Sequence, residues 1–306
     1  MYRLLRTMQP DIVQTWLYHA DFLGGLLARL AGNRNVIWGV RTTDVNVGCA
    51  RATSLIRYFC AALSHWVPHT IVCVADAARR SHFMIGYDPA RMVVVGNGFD
   101  LAVLRSSHHE RSQLRSQCGF NADHIVLGTV GRFNLDKDHA NFVKAAGLLA
   151  ANNDRLRFLM IGRDLDHANS DLMAWINETQ HADRFVLLGE RVDVAVCLAA
   201  MDIFCLSSRT EAFPNAVGEA MAMGLPCVAT DVGDVAALMA DTGLVVPKAN
   251  PAALAQGISR LLALGADLRF QMGQKAKERI RATYTMVNVR QRFELLYENI
   301  IARGKR

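Results

Sequence analysis

Two glutamates eight positions apart carry the strongest chemical signal in the sequence, in Ser207-Ser208-Arg209-Thr210-Glu211-Ala212-Phe213-Pro214-Asn215-Ala216-Val217-Gly218-Glu219. The apolar run Ile203–Leu206 reads as a strand that ends in the polar loop holding Glu211. Pro214 suits the first turn of a helix, and Gly224 followed by Pro226 stops it. Glu219 then projects from a helix whose neighbouring positions, Ala216, Val217, Gly218, Ala220 and Met221, are small or apolar and which holds no Lys or Arg. A buried carboxylate without a partner costs several kcal/mol. The vicinal hydroxyls of a ribose would satisfy both of its oxygens; the alternative, a Glu on an exposed helical face, asks for no ligand. The free N–H groups of residues 213–216 and the helix dipole make a site for a diphosphate.

A second element is Val130-Gly131-Arg132-Phe133-Asn134-Leu135-Asp136-Lys137-Asp138. A strand ends at Gly131, Arg132 follows in the loop, and Lys137 is expected to begin the next helix. Two cations at the carboxyl edge of a parallel sheet could clamp a pyrophosphate leaving group, neutralising the charge that develops as it departs, without a divalent ion. On its own such a loop is as often simply solvated. Asp136-Lys137-Asp138 and Asp164-Leu165-Asp166 match the paired-aspartate pattern of a metal site, but three-residue matches arise by chance. His65 and His69 have zinc-ligand spacing, yet Pro68 breaks the helix they would need. No metal is therefore expected. Neither a GxSxG elbow nor a Walker loop occurs.

Short apolar runs alternating with amphipathic stretches must position these residues. The strand-like runs are 12–16, 36–40, 70–75, 92–96, 125–131, 157–162, 185–189, 203–207, 227–230 and 243–247; helix-like segments include 19–31, 51–64, 76–85, 137–151, 193–200 and 250–264. Near-continuous apolar strands separated by helices imply parallel sheets covered on both faces, with the ligand crevice beyond the strands' carboxyl ends. The sequence thus predicts doubly wound α/β architecture. A boundary is expected where Ser106-Ser107-His108-His109 breaks the apolar periodicity, giving a first domain over 1–105, a nucleotide-binding domain over 106–284, and a last helix over 285–306 returning to the first domain. The first domain starts on a helix and has no glycine loop before Asp11, so it is expected to be incomplete.

The 306 residues are about half apolar and one fifth charged, as in soluble globular proteins. No apolar run approaches the ~18–20 residues that cross a bilayer. The first residues lack a signal-peptide pattern, and the seven cysteines are scattered without a CxxC pair; both favour reduced thiols and a cytoplasmic location. Residues 1–105 hold eleven Arg, no Lys and six Asp, a net charge of +5 out of +6. Such a face could lean on an anionic leaflet as a peripheral membrane protein, or be ordinary solvated Arg. Nucleic acid is not an expected partner, because no basic run is interleaved with aromatics.

Gly131-Arg132 with Lys137, the run Phe185–Val194, Glu211-x7-Glu219, the tail Pro226–Asp234 and the junction Val95–Asp100 together resemble the group 1 retaining glycosyltransferases, glycosyltransferase family 4. The resemblance covers residues 9–300 and implies a GT-B fold of two facing Rossmann-like domains. It further implies a metal-independent enzyme, with no cofactor, that moves a sugar from a nucleotide-diphosphate sugar to a glycan or lipid-linked acceptor, as in polysaccharide or lipopolysaccharide biosynthesis. By this resemblance Arg132 and Lys137 bind the donor diphosphate, Glu219 the ribose, and Glu211 the hydroxyls of the transferred sugar. Thr210 and the Phe213, Pro214 and Asn215 backbone join the donor site, and the Gly189–Arg191 turn meets the base. Glu211, Arg132 and Lys137 would then carry the chemistry. Ala212 replaces the Gly usual after the first Glu, and Arg41 replaces a His common at the end of the second strand; His19 and Arg41 are acceptor-side candidates. Two alternatives remain: a truncated nucleotide-sugar-binding protein without transfer activity, and a related nucleotide-sugar hydrolase or epimerase.

Overall fold

The computed structural model describes residues 1–43 and 51–304, and Cys49 lies outside them. The chain divides into two compact units, one of Met1–Gly98, Glu211–Phe213 and Met286–Arg306, the other of Phe99–Thr210 and Pro214–Thr285.

The first unit runs α1 (Tyr2–Met8), β1 (Val13–Gln14), α2 (Tyr18–Leu30), β2 (Val36–Val40), α3 (Arg51–Leu63), β3 (Thr70–Cys73), α4 (Asp76–Met84) and β4 (Met92–Val94). Its four strands are parallel in the order β1-β2-β3-β4. Every residue of β2 and β3 is buried, as expected of strands covered on both faces. The expected strand over 12–16 is assigned only at Val13–Gln14, although Thr15 N and Leu17 N still donate to Ile37 O and Gly39 O; Leu17, with φ +72, then turns the chain into α2. Asp21 of α2 is buried beneath this sheet; it accepts a 2.6 Å hydrogen bond from Thr15 Oγ1, and burial pushes its carboxyl up to about 7.

The second unit runs α5 (His108–Gln117), β5 (Ile125–Val130), α6 (His139–Ala150), β6 (Leu156–Ile161), α7 (Ser170–Glu178), β7 (Phe185–Leu187), α8 (Val194–Ala199), β8 (Ile203–Leu206), α9 (Asn215–Ala222), β9 (Cys227–Thr230), α10 (Val235–Met239), β10 (Leu244–Val246), α11 (Pro251–Ala263) and α12 (Gly265–Thr283). The sheet is parallel in the order β10-β9-β8-β5-β6-β7. One core joins Leu127 and Phe158 of the sheet to Phe142, Val143 and Leu149 of α6 and to Leu254, Ile258 and Leu261 of α11. From β5 the chain winds outward to β7, then returns to lay β8 on the other side of β5. The order therefore reverses between β5 and β8, and the crevice of such a sheet opens at the carboxyl ends of that pair.

The closing helix, α13 (Met286–Gly304), packs in the first unit: Val289 and Ile300 are buried with Ile37, Val72 and Val95, and Phe293 meets Trp16 edge-on at 6.1 Å. Ser107 caps α5 in a reciprocal capping box with Glu110. The expected start of α6 is corrected. Lys137 does not open α6; it closes a 3-10 turn over Leu135–Lys137, and α6 starts at His139. Asp138 comes between them with φ +47, which interrupts the helical path.

Candidate functional site

The two motifs singled out in the sequence sit on either side of the switch point. β5 runs into Gly131-Arg132 and β8 into Ser207-Ser208, so both loops leave the same sheet edge from adjacent strands. The first loop starts on a tight backbone contact. Gly131 N donates to Ile161 O at 2.9 Å, and Gly162, with φ +149, approaches so closely that a Cβ there would lie 2.1 Å from Gly131 O. Only glycine fits. The Lys137 stem lies over Gly131, whose added Cβ would stand 3.4 Å from Lys137 Cδ.

Side chains hold the loop's shape. Asn134 caps the 3-10 turn by accepting from Lys137 N at 3.0 Å. His139 is buried, and burial pushes it down to about 4, so its neutral ring bonds through Nε2 to Arg132 O at 3.2 Å. A carbonyl accepts only, which fixes the proton on Nε2. Phe133 stacks on His139 at 5.9 Å and on Trp175 at 5.5 Å.

The second loop is tied to the first. Ser207 Oγ donates to Lys137 O at 2.9 Å, Arg209 N to Asp136 O at 2.7 Å, and Arg209 Nε to a carboxylate oxygen of Asp138 at 2.8 Å. The chain then passes through Glu211–Phe213, which belong to the first unit, and re-enters the second at Pro214. Pro214 is the N-cap residue, so α9 begins at Asn215, one residue later than expected. On α9, Gly218 lies under the Phe99 ring, where an added Cβ would stand 1.9 Å from Phe99 Cζ.

Glu219 is half-buried. Burial raises its carboxyl above the usual range, and the nearby Lys137 ammonium acts in the opposite direction. An acidic and a basic side chain thus share one electrostatic neighbourhood at the switch point, beside the amino end of α9.

The remaining candidates fall in different places. Arg132 is exposed in its loop, Thr210 is half-buried, and Asn215 is the exposed first residue of α9. Gly189, with φ +63, ends the segment after β7; it donates to Leu165 O and accepts from Gly162 N at 2.8 Å. Arg191 is engaged by Asp193 through 2.8 and 2.6 Å hydrogen bonds. In the first unit, Glu211 O accepts from Thr43 Oγ1 at 2.8 Å, and the buried Phe213 ring packs on Gly96. His19 is exposed on α2, and the Arg41 guanidinium lies 4.8 Å from the centroid of the Trp16 ring. Asp138 is committed to Arg209, His65 bonds Gly86 O, and His69 bonds Thr70 Oγ1. Among the described residues no group of three or more His, Cys, Asp or Glu is placed to hold a metal ion. Sequence reasoning missed Asp138, His139, Ser207 and Arg209 as site-shaping residues, although all four lie inside or beside its motifs. A cleft of about 700 Å³ opens at the opposite edge of this sheet; its Arg111, Arg115, Arg155 and Arg269 bond backbone carbonyls and read as structural.

Two family models match the chain: Glycosyltransferase Family 4 over residues 1–103 and Glycosyl transferases group 1 over residues 124–264. The chain belongs to the group 1 glycosyltransferases. One relative of the chain in Escherichia coli is UDP-Gal:alpha-D-GlcNAc-diphosphoundecaprenol alpha-1,3-galactosyltransferase, 27% identical, with 76% of this chain and 60% of that protein covered. The D-inositol 3-phosphate glycosyltransferase of Mycobacterium tuberculosis is 31% identical, over 71% of this chain and 46% of the relative. The chain thus spans about half the length of the curated relatives it matches, 46% to 60%. Among solved structures, Anabaena HepE in complex with UDP superposes with a TM-score of 0.87 at 18% identity, covering 97% of this chain and 80% of that one. Sucrose-phosphate synthase from Thermosynechococcus elongatus gives 0.84 at 20% identity, with 98% and 76% covered. The likeness in fold, with the two parallel-sheet units, is that of the GT-B glycosyltransferases.

Proposed function

We propose that this chain is a retaining, metal-independent glycosyltransferase that moves a sugar from a uridine-diphosphate sugar to a glycan or lipid-linked acceptor. The observation that carries the reading is the joining of the Arg132–Lys137 loop to the Ser207–Arg209 loop at the β5–β8 switch point, with α9 and Glu219 following the second loop. The uridine base is supported by the UDP-dependent name of the Escherichia coli relative and by HepE solved with UDP and with UDP-glucose.

In this mechanism Lys137 and Arg132 neutralise the diphosphate as the bond from the anomeric carbon to the phosphate oxygen breaks, and the α9 N-terminus adds its N–H groups. Glu219 accepts from the ribose hydroxyls, Glu211 from hydroxyls of the transferred sugar, and Thr210 and the Phe213–Asn215 backbone complete the donor site. The Gly189–Arg191 turn meets the base. Retention proceeds by front-face attack, in which the leaving phosphate takes the proton of the acceptor hydroxyl. The first unit binds the acceptor, with His19 and Arg41 as contacts.

The same unit favours peripheral attachment to an anionic leaflet on the cytoplasmic side. Residues 1–98 of this unit carry ten Arg and no Lys, and Leu23, Leu30, Leu55, Tyr58, Phe59 and Trp66 are exposed. No described helix is long and apolar enough to cross a membrane. The test is a melting-temperature panel with UDP, GDP and ADP and their glucose conjugates, followed by assay of nucleoside diphosphate release in the presence of lipid-linked acceptors. Stabilisation by a uridine nucleotide and acceptor-dependent UDP release are expected. Release that does not depend on acceptor would make the protein a hydrolase.

A further inference from the structure

We propose that Asp138 and Arg209 form a positioning pair that sets Lys137 against the donor diphosphate. The inference rests on the reading of Lys137 as a diphosphate ligand. It starts from a residue that local sequence rules would not choose. Asp138 has φ +47, in the left-handed region where glycine is free of strain and a side chain is not. Its carboxylate is also buried, with the side chain only 4% exposed. Both choices are unfavourable alone, and one contact compensates for them. Arg209 donates from Nε at 2.8 Å and from its terminal nitrogen at 3.3 Å to the two carboxylate oxygens. A forked pair of this kind fixes orientation as well as distance.

The rest of the turn is anchored around this pair. Arg209 N holds Asp136 O, Ser207 Oγ holds Lys137 O, and Asn134 holds Lys137 N. The backbone of 136–138 is therefore bound on both sides of Lys137, whose stem is laid across Gly131. A long, flexible ammonium arm gains most from such anchoring, since a cation that must meet a diphosphate loses affinity with small misplacement. Arg209 also lies two residues before Glu211, so one ion pair ties the start of that loop to the loop bearing Lys137. Neither Asp138 nor Arg209 is a catalytic residue here; both act through Lys137.

Asp138→Gly separates positioning from folding, because it relieves the backbone strain while deleting the carboxylate. Binding of UDP and of uridine is measured by calorimetry for wild type, Asp138→Gly, Arg209→Gln, Arg209→Lys and the double variant Asp138→Gly/Arg209→Gln. Asp138→Gly is expected to melt no lower than wild type yet bind UDP about tenfold more weakly. Uridine, which has no phosphates for Lys137, should bind as before. Arg209→Gln should lose UDP affinity similarly, Arg209→Lys should recover part of it, and the double variant should bind UDP no more weakly than either single one. If Asp138→Gly fails to fold, Arg209→Gln and Arg209→Lys carry the same comparison at an exposed position. Wild type that binds UDP together with variants of unchanged UDP affinity overturns the positioning pair alone. Wild type that binds none of UDP, GDP or ADP overturns the donor reading, and the pair with it.

Discussion

Replacing Gly162 by Ala tests whether the edge where β5 and β6 end is built to hold the Arg132 loop in one place. The added Cβ would stand 2.1 Å from Gly131 O, 2.5 Å from Gly131 C and 3.1 Å from Arg132 N. A carbon and a carbonyl oxygen settle no closer than about 3.3 Å, so the Gly131 peptide must retreat by roughly 1 Å. The neighbouring atom is backbone, and the retreat cannot be absorbed by a side-chain rotation. Overpacking costs about 1–3 kcal/mol, and the φ of +149 disfavours any side chain by a further amount of order 1–3 kcal/mol. A loss of roughly 2–6 kcal/mol in urea denaturation is expected, accompanied by a drop in UDP affinity approaching 10²-fold if Arg132 moves by that distance. Gly119→Ala is the control: its φ is +72, but nothing lies within 4 Å of the added Cβ. It should lose only about 1–2 kcal/mol of stability and no UDP affinity. Gly162→Ala that matches Gly119→Ala in both measurements would refute this account of the edge.

His139 is held near 4, below its ordinary 6.5, so the unfolded chain takes up the proton first and stability should fall as pH drops from 6.5 to 4. His139→Asn should remove up to about 3 kcal/mol of that acid sensitivity in urea titrations at several pH values. Asp21 is shifted the other way, up to about 7, so its favourable contribution is complete below pH 3.8 and disappears as pH rises through 7. Asp21→Asn should therefore become stabilising relative to wild type by up to about 4 kcal/mol between pH 4 and pH 8 in the same titrations. Lys137→Ala should weaken UDP by tenfold or more, on the order of 1.5–3 kcal/mol for one charged contact, and leave uridine unaffected in calorimetry.

The ten strands were legible because fully buried parallel strands read as unbroken apolar runs; β2 and β9 match their expected limits, Val36–Val40 and Cys227–Thr230. Other runs overshoot at their ends, as with Val13–Gln14, where Leu17 at φ +72 turns the chain into α2. The partial burial of Glu219 was legible because its helix neighbours are Ala, Val, Gly and Met. The α12 helix was not, because its polar run 267–281 carries no apolar signature strong enough to separate it from a loop. The pair Asp138–Arg209 was out of reach for a different reason. Its members are 71 positions apart, and only the return of β8 to the side of β5 makes their loops neighbours.

The most direct test of the central claim compares UDP with its 2′-deoxy and 3′-deoxy analogues, titrated by calorimetry into wild type and into Glu219→Gln. If Glu219 grips the ribose diol beside Lys137, wild type should bind UDP at least tenfold more tightly than either analogue, and Glu219→Gln should lose most of that preference while melting no lower, because it gives up a half-buried charge. Equal preference for UDP in wild type and variant would contradict the account.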